Sequence, residues 1–197
     1  MNQIIIATKN EGKAREFKDF FLKLNIKAVS LLDMDQKLPD VEETGSTFEE
    51  NAGLKAEQIA SLLNTPVLAD DSGLIIDALD GRPGLFSARY AGVPKNDQAN
   101  IEKVLEELKN VPSDNRSARF ISVLAITIPG EQTIFHTGYC EGKIAIKAKG
   151  ENGFGYDPIF IPVNHDVTMA ELTAEEKNEI SHRRNAIRQL ERWIHNL

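Results

Sequence analysis

Three clusters of residues in this 197-residue chain combine types and spacings that could do chemistry. Thr8, Asn10 and Lys13 occupy a polar stretch between an apolar run at 4–7 and the helical spacing of Phe17, Phe20, Phe21 and Leu24. A loop that feeds a helix offers free backbone N–H groups and a positive dipole end, which together favour an anion. The same two side chains would equally cap and turn the chain. The stretch is not a Walker loop, because the spaced glycines and Gly-Lys-Ser/Thr ending are missing. Gly12 as its only glycine excludes a dinucleotide fingerprint.

The second cluster is acidic with one cation. Asp70 and Asp71 close the apolar run at 66–69, Glu42 and Glu43 precede a helix, and Lys55 lies on that helix. At 100° per residue Lys55 falls inside the apolar stripe of Phe48, Ala52, Ala56, Ile59 and Leu63. A lysine there either snorkels to the edge of the stripe or faces an internal anion or carboxylate group. Two adjacent aspartates at a strand end are either turn formers or residues aimed beyond the carboxyl end of the strand, where open α/β sheets bind ligands. If strand geometry persists through them, their side chains point oppositely and one alone faces that site. Carboxylates with water and phosphate oxygens are the usual surroundings of magnesium, so a metal site is plausible on donor type. In the third cluster, Ser181, His182 and Arg183 open the last helix, as an N-cap followed by two solvated side chains or as a set of ligand-binding groups.

The elements that must position these groups follow from periodicity. A strand at 4–7 leads through the loop into a first helix. Thr47 and Glu50 form a capping-box pattern before the second helix, and a buried strand runs from 66 to 69. A third helix carrying Ile101, Val104, Leu105 and Leu108 follows Asp97. The β-branched texture of 118–148, broken by Pro129 and Gly130, predicts a strand, a tight turn and two further strands. Thr173 and Glu176 repeat the capping-box pattern, and Ala186, Ile187, Leu190 and Ile194 mark the last helix. The expected class is α/β with a mixed sheet. No repeat, low-complexity segment or long linker marks an independent second domain, so residues 1–197 read as a single domain.

Composition bounds the partners. The apolar share of 41% is ordinary for a soluble globular protein. A net charge of −7 argues against tracking a nucleic-acid backbone, which needs a basic stripe. No run of 18 apolar residues and no basic-then-apolar leader is readable, so no membrane span is expected and the cytoplasm is the expected location. The single cysteine, Cys140, excludes an internal disulfide and reads as a small strand residue.

Taken jointly, Thr8-x-Asn10-x-x-Lys13, Glu42-Glu43-Thr44-Gly45, Asp70-Asp71-Ser72-Gly73-Leu74, Phe154-Gly155-Tyr156-Asp157-Pro158 and Ser181-His182-Arg183 resemble the inosine triphosphate pyrophosphatase family. The resemblance runs from residue 4 to about 190, and five ordered motifs are far more specific than any one. It implies a homodimeric, magnesium-dependent enzyme with an elongated mixed β-sheet flanked by helices and two lobes around a central cleft. The implied activity is cleavage of deaminated purine nucleoside triphosphates (ITP, dITP, XTP) to monophosphate and pyrophosphate. By position, Thr8, Lys9, Asn10, Glu11, Gly12 and Lys13 would hold phosphate. Asp71 would accept a proton and, with Glu42 of a Glu42–Glu43 pair between whose members the sequence does not decide, bind the metal, and Lys55 would assist catalysis. Ser72, Phe154, Gly155, Tyr156, Asp157, Lys177, His182 and Arg183 would contact the nucleotide. Phe154 offers a flat apolar face for a base, and the amides of His182 and Arg183 could meet a purine carbonyl. Two rivals are a Maf-type nucleotide pyrophosphatase of other base preference and a non-catalytic nucleotide sensor. Ser181-His182-Arg183 weighs against the first, and the intact acidic set against the second.

Overall fold

Ile4, Ile5 and Ile6 are all buried, at 0, 3 and 1% exposure. A strand buried on both faces reads as a continuous apolar run rather than an alternation, which is the signature of a central parallel strand. This strand, β1 (Gln3–Ala7), pairs in parallel with β2 (Lys27–Ser30) on one side and β3 (Val67–Ile76) on the other. Parallel neighbours need crossovers, supplied by α1 (Glu11–Lys23) and α2 (Phe48–Leu63). The computed structural model describes residues 2–35 and 38–195. The chain divides into two units, Met1–Asp71 with Val123–His136, and Ser72–Ser122 with Thr137–Leu197.

In the first unit α1 buries Ala14, Phe17, Phe20 and Phe21, and the rings of Phe20 and Phe21 lie 4.9 Å apart. α2 buries Ala52, Ala56 and Ile59 of its expected stripe together with Asn51, Gly53 and Ala60, while Phe48 and Leu63 at its two ends are half-buried. Its cap is half of the expected box. Thr47 Oγ1 accepts from the Glu50 N–H at 3.0 Å, while the Glu50 carboxylate turns to the Ser46 N–H and hydroxyl at 2.6 and 2.8 Å.

The strand at 66–69 is longer than expected. β3 does not stop at the aspartates but continues through Asp70, Asp71, Ser72 and Gly73 to Ile76. The full sheet has the order β2-β1-β3-β4-β5-β6, where β4 is Ser117–Thr127, β5 is Ile134–Ile144 and β6 is Phe160–Pro162. β5 and β6 are antiparallel, so the sheet is mixed. The turn around Pro129 and Gly130 is present, with Gly130 at φ +85° and the Glu131 N–H donating to the Ile128 carbonyl at 2.9 Å. The third strand of this region comes later than predicted, at 160–162 rather than before 148.

The second unit is built on α3 (Asp97–Glu107), α4 (Ala174–Ile180) and α5 (His182–Ile194). Leu74, Ile76, Val104, Leu108, Phe120, Ile159, Phe160 and Met169 form its core, which Cys140 joins at 5% exposure. Arg116 is buried and caps α3 from below, donating to the carbonyls of Leu108, Val111 and Ala145 at 2.7, 3.0 and 3.1 Å. Three donated bonds, one of them to the C-cap carbonyl of Leu108 at the negative end of α3, satisfy a charge that burial alone would expel. Thr173 and Glu176 complete the capping box of α4, and Ser181 caps α5 by accepting from the Arg184 N–H at 3.1 Å. α5 lies hard against β5 at Gly138, where a Cβ would overlap the His182 carbonyl oxygen and the Ala186 amide.

Candidate active site

The continuation of β3 through Asp70 and Asp71 decides the geometry of the first unit. Successive side chains on a strand point to opposite faces, and each aspartate meets its own lysine. Asp70, its side chain wholly buried, is ion-paired with Lys13 from α1. Asp71 faces the other way, toward α2, and its Oδ1 lies 3.2 Å from Lys55 Nζ. That ammonium also donates to Glu43 Oε1 at 3.1 Å and to the Asp70 backbone carbonyl at 2.9 Å. With only 15% of its side chain exposed, Lys55 faces a carboxylate group rather than snorkelling out of the stripe.

Burial works to lower the pKa of Lys55, but Asp71, Glu43 and Asp70 around it outweigh burial and leave it raised. The ammonium is therefore cationic at any physiological pH. Burial pushes the Asp71 carboxyl up, Lys55 pulls it back, and the nearby charges of Glu43 and Asp70 raise it again, for a net upward shift. A raised carboxylate is a stronger base than a free one.

The loop before α1 does what its residue types suggest locally. Asn10 is the N-cap, its Oδ1 accepting from the Lys13 N–H at 3.1 Å, and Thr8 Oγ1 accepts from the Asn10 N–H at 3.2 Å. These bonds occupy the backbone N–H groups of Asn10 and Lys13, and that of Thr8 donates to the Ile6 carbonyl, so the donors these residues could offer an anion are on their side chains. Glu11 and Gly12 begin the helix, where amides find no acceptor within the helix itself. Lys9 is exposed and paired with Asp40.

The donor set suits a hard divalent cation. Asp71 and Glu43 present carboxylate oxygens to one shared cation, the Lys55 ammonium. Among the described residues no three His, Cys, Asp or Glu side chains converge as a ready-made cage. Magnesium sites in general use one or two protein carboxylates and complete their shell with water and substrate phosphate. Of the Glu42–Glu43 pair, Glu43 reaches Lys55. Both residues are exposed, and the Glu42 carbonyl accepts from the Thr44 N–H at 3.1 Å.

In the second unit a loop at 150–157 presents Phe154, half exposed. Asp157, buried, accepts from the Phe154 N–H at 2.8 Å and is ion-paired with Lys177. Lys177 Nζ stands 4.7 Å from the centroid of the Phe154 ring, a cation–π contact. Gly153, at φ +79°, is required here, because a Cβ would collide with the Asp157 carboxylate. Tyr156 is buried and donates to the Ser87 carbonyl at 2.7 Å, so it shapes the loop rather than facing solvent. His182 stacks on Phe120, centroids 5.0 Å apart and 19° from parallel, and Arg183 is buried beside it in the first turn of α5. The third cluster and the Phe154 motif thus fall in one unit, and the phosphate loop and acidic cluster in the other, with Ser72 following directly on Asp71 along β3.

The sequence leaves the choice within the Glu42–Glu43 pair open, because no periodic element at 42–43 fixes the direction of either side chain, and one further residue lies outside its candidate set. Asp97, read only as preceding a helix, accepts from the Gly155 N–H at 3.0 Å.

Comparison with known proteins places these features in context. The model of the Ham1 family matches residues 4–193. A protein of Oceanobacillus iheyensis named dITP/XTP pyrophosphatase is 68% identical over 197 residues, covering all of both chains. The solved structure of the Staphylococcus aureus Ham1 protein superposes with a TM-score of 0.91 at 48% identity, covering 98% of each chain. A Ham1 protein structure from Coxiella burnetii gives 0.92 at 43% identity over the whole of both chains.

Proposed function

The chain belongs to the Ham1 family, and on that premise we propose that its acidic centre, with magnesium, cleaves non-canonical purine nucleoside triphosphates to the monophosphate and pyrophosphate. The enzyme is a nucleoside triphosphate pyrophosphatase acting on substrates such as dITP and XTP, in keeping with relatives of that name that match its full length. The observation that carries the assignment of the centre is Lys55, held within 3.2 Å of Asp71, Glu43 and the Asp70 carbonyl.

Hydrolysis of a phosphoanhydride needs little covalent chemistry but much charge neutralisation and a positioned water. Asp71 is assigned as the acceptor of the proton from that water. Lys55 keeps a fixed positive charge beside Asp71, and Lys13 with the Glu11 and Gly12 amides at the start of α1 receives phosphate oxygens. Asp71 and one carboxylate of the Glu42–Glu43 pair would hold the metal, and the approach of Glu43 to Lys55 favours Glu43 for that place. Magnesium, when bound, would supply further charge neutralisation at the phosphates. The base is the ligand of the second unit, lying on Phe154 with the amides of His182 and Arg183 as donors to its 6-carbonyl.

The family resemblance also underlies the assignment of a homodimer in the cytoplasm. Among the described residues no helix is long and apolar enough to cross a membrane. The metal assignment is tested by following pyrophosphate release from dITP with magnesium and after chelation. Several kcal/mol of charge stabilisation should vanish, so the rate should fall by about 10²-fold or more. An undiminished rate in the chelated, metal-stripped enzyme would remove the metal from this account.

A further inference from the structure

The loop that presents Phe154 has little conformational preference of its own. Gly153 and Gly155 flank the phenylalanine at φ +79° and +60°, and glycines leave the peptide planes between them free to rotate. Two carboxylates take up that freedom. Asp157, within the loop, accepts from the Phe154 N–H at 2.8 Å. Asp97, 58 positions earlier, accepts from the Gly155 N–H at 3.0 Å with Oδ2, and its Oδ1 lies 3.3 Å from Lys95 Nζ.

Asp97 is itself well anchored. It is the first residue of α3, directly after the N-cap Asn96, whose side chain accepts from the Ala99 N–H at 3.0 Å. A carboxylate in the first turn is favoured by the helix dipole. One turn further, Asn100 donates to the carbonyls of Ser87 and Ala88 at 3.4 and 3.3 Å and accepts from the Ala91 N–H at 2.7 Å. The Tyr156 hydroxyl donates to the same Ser87 carbonyl. The first turn of α3 therefore grips the 87–91 segment with Asn100 and the 154–156 loop with Asp97.

We propose that Asp97 is a positioning residue for base recognition: its carboxylate fixes the peptide plane between Phe154 and Gly155, and so holds the Phe154 ring in the orientation that receives a purine. Asp97 touches neither the base nor the phosphates. The proposal rests on the reading of Phe154 as the base platform given above.

The test compares the wild type with Asp97→Ala and Asp97→Asn, measuring binding of IMP and of inorganic pyrophosphate by calorimetry, and ITP steady-state kinetics. Alanine should weaken IMP binding and raise KM for ITP about tenfold, the size expected for losing a hydrogen bond to a charged group. Pyrophosphate affinity should stay within about twofold and kcat within about threefold, because nothing in the phosphate site has changed. Asparagine keeps a side-chain oxygen in place and should restore IMP binding to within about threefold of the wild type. IMP affinity unchanged in Asp97→Ala would overturn the proposal. Equal weakening of IMP and pyrophosphate with a lowered melting temperature would also overturn it, by showing that Asp97 supports the fold at large. A wild type that neither binds IMP nor hydrolyses ITP would instead defeat the underlying assignment of the base site, and the proposal with it.

Discussion

Replacing Asp71 by Asn is expected to abolish most turnover, lowering kcat by about 10²–10⁴-fold, while nucleotide binding persists. That range is what a positioned base alone contributes, and the loss of a metal-binding charge works in the same direction. The amide keeps the size of the side chain, so β3 should continue undisturbed through residues 70–73. Lys55 would still have Glu43 and the Asp70 carbonyl within 3.1 Å, which keeps its charge paired. The variant should therefore fold, bind ITP, and fail at chemistry. Stopped turnover in a folded, nucleotide-binding variant separates a catalytic role from a structural one. Near-normal kcat in the purified variant would remove Asp71 from the centre of the mechanism.

The second large effect concerns the base. ITP, dITP and XTP should be hydrolysed at least about 10²-fold more efficiently than ATP, judged by kcat/KM, with little difference between ribose and deoxyribose. Hypoxanthine and xanthine carry a carbonyl at position 6, where adenine carries an amino group. The amides of His182 and Arg183, at the N-terminal end of α5, are donors and match only the former. An adenine would set donor against donor, and each buried polar group left unpaired costs about 1–3 kcal/mol. The position of α5 depends on Gly138, so this donor pair is held by backbone packing rather than by a flexible side chain. Guanine shares the 6-carbonyl, and its exclusion must come from the surroundings of the 2-amino group. Equal kcat/KM for ITP and ATP would show that no carbonyl reader exists at this helix.

The local elements were largely legible because their signals are local. The stripes of α1, α2 and α5, the caps at Thr47, Thr173 and Ser181, and the turn at Pro129-Gly130 each depend on neighbours within a few residues. What escaped the sequence depends on distant partners. Asp-Asp-Ser-Gly has the composition of a turn, yet the strand runs through it because Lys13 and Lys55, brought from two helices, neutralise one aspartate on each face. β2, with the sequence Lys27-Ala28-Val29-Ser30, is too short and too mixed to announce itself, and it forms by pairing along β1. The choice between Glu42 and Glu43 could not be made where no regular element fixes the direction of a side chain. Asp97 looked like a helix start, which it is, and its bond to Gly155 becomes visible only when residues 58 positions apart are brought together.

The central claim is that this centre cleaves the phosphoanhydride linkage between the α and β phosphates in one step, and the products of ITP hydrolysis test it most directly. With enzyme in excess and magnesium present, a single turnover resolved by ion-exchange chromatography should give IMP and pyrophosphate in equal amounts, with no IDP at any time. Accumulation of IDP with orthophosphate would contradict the account, because it would mean that the terminal phosphate leaves alone.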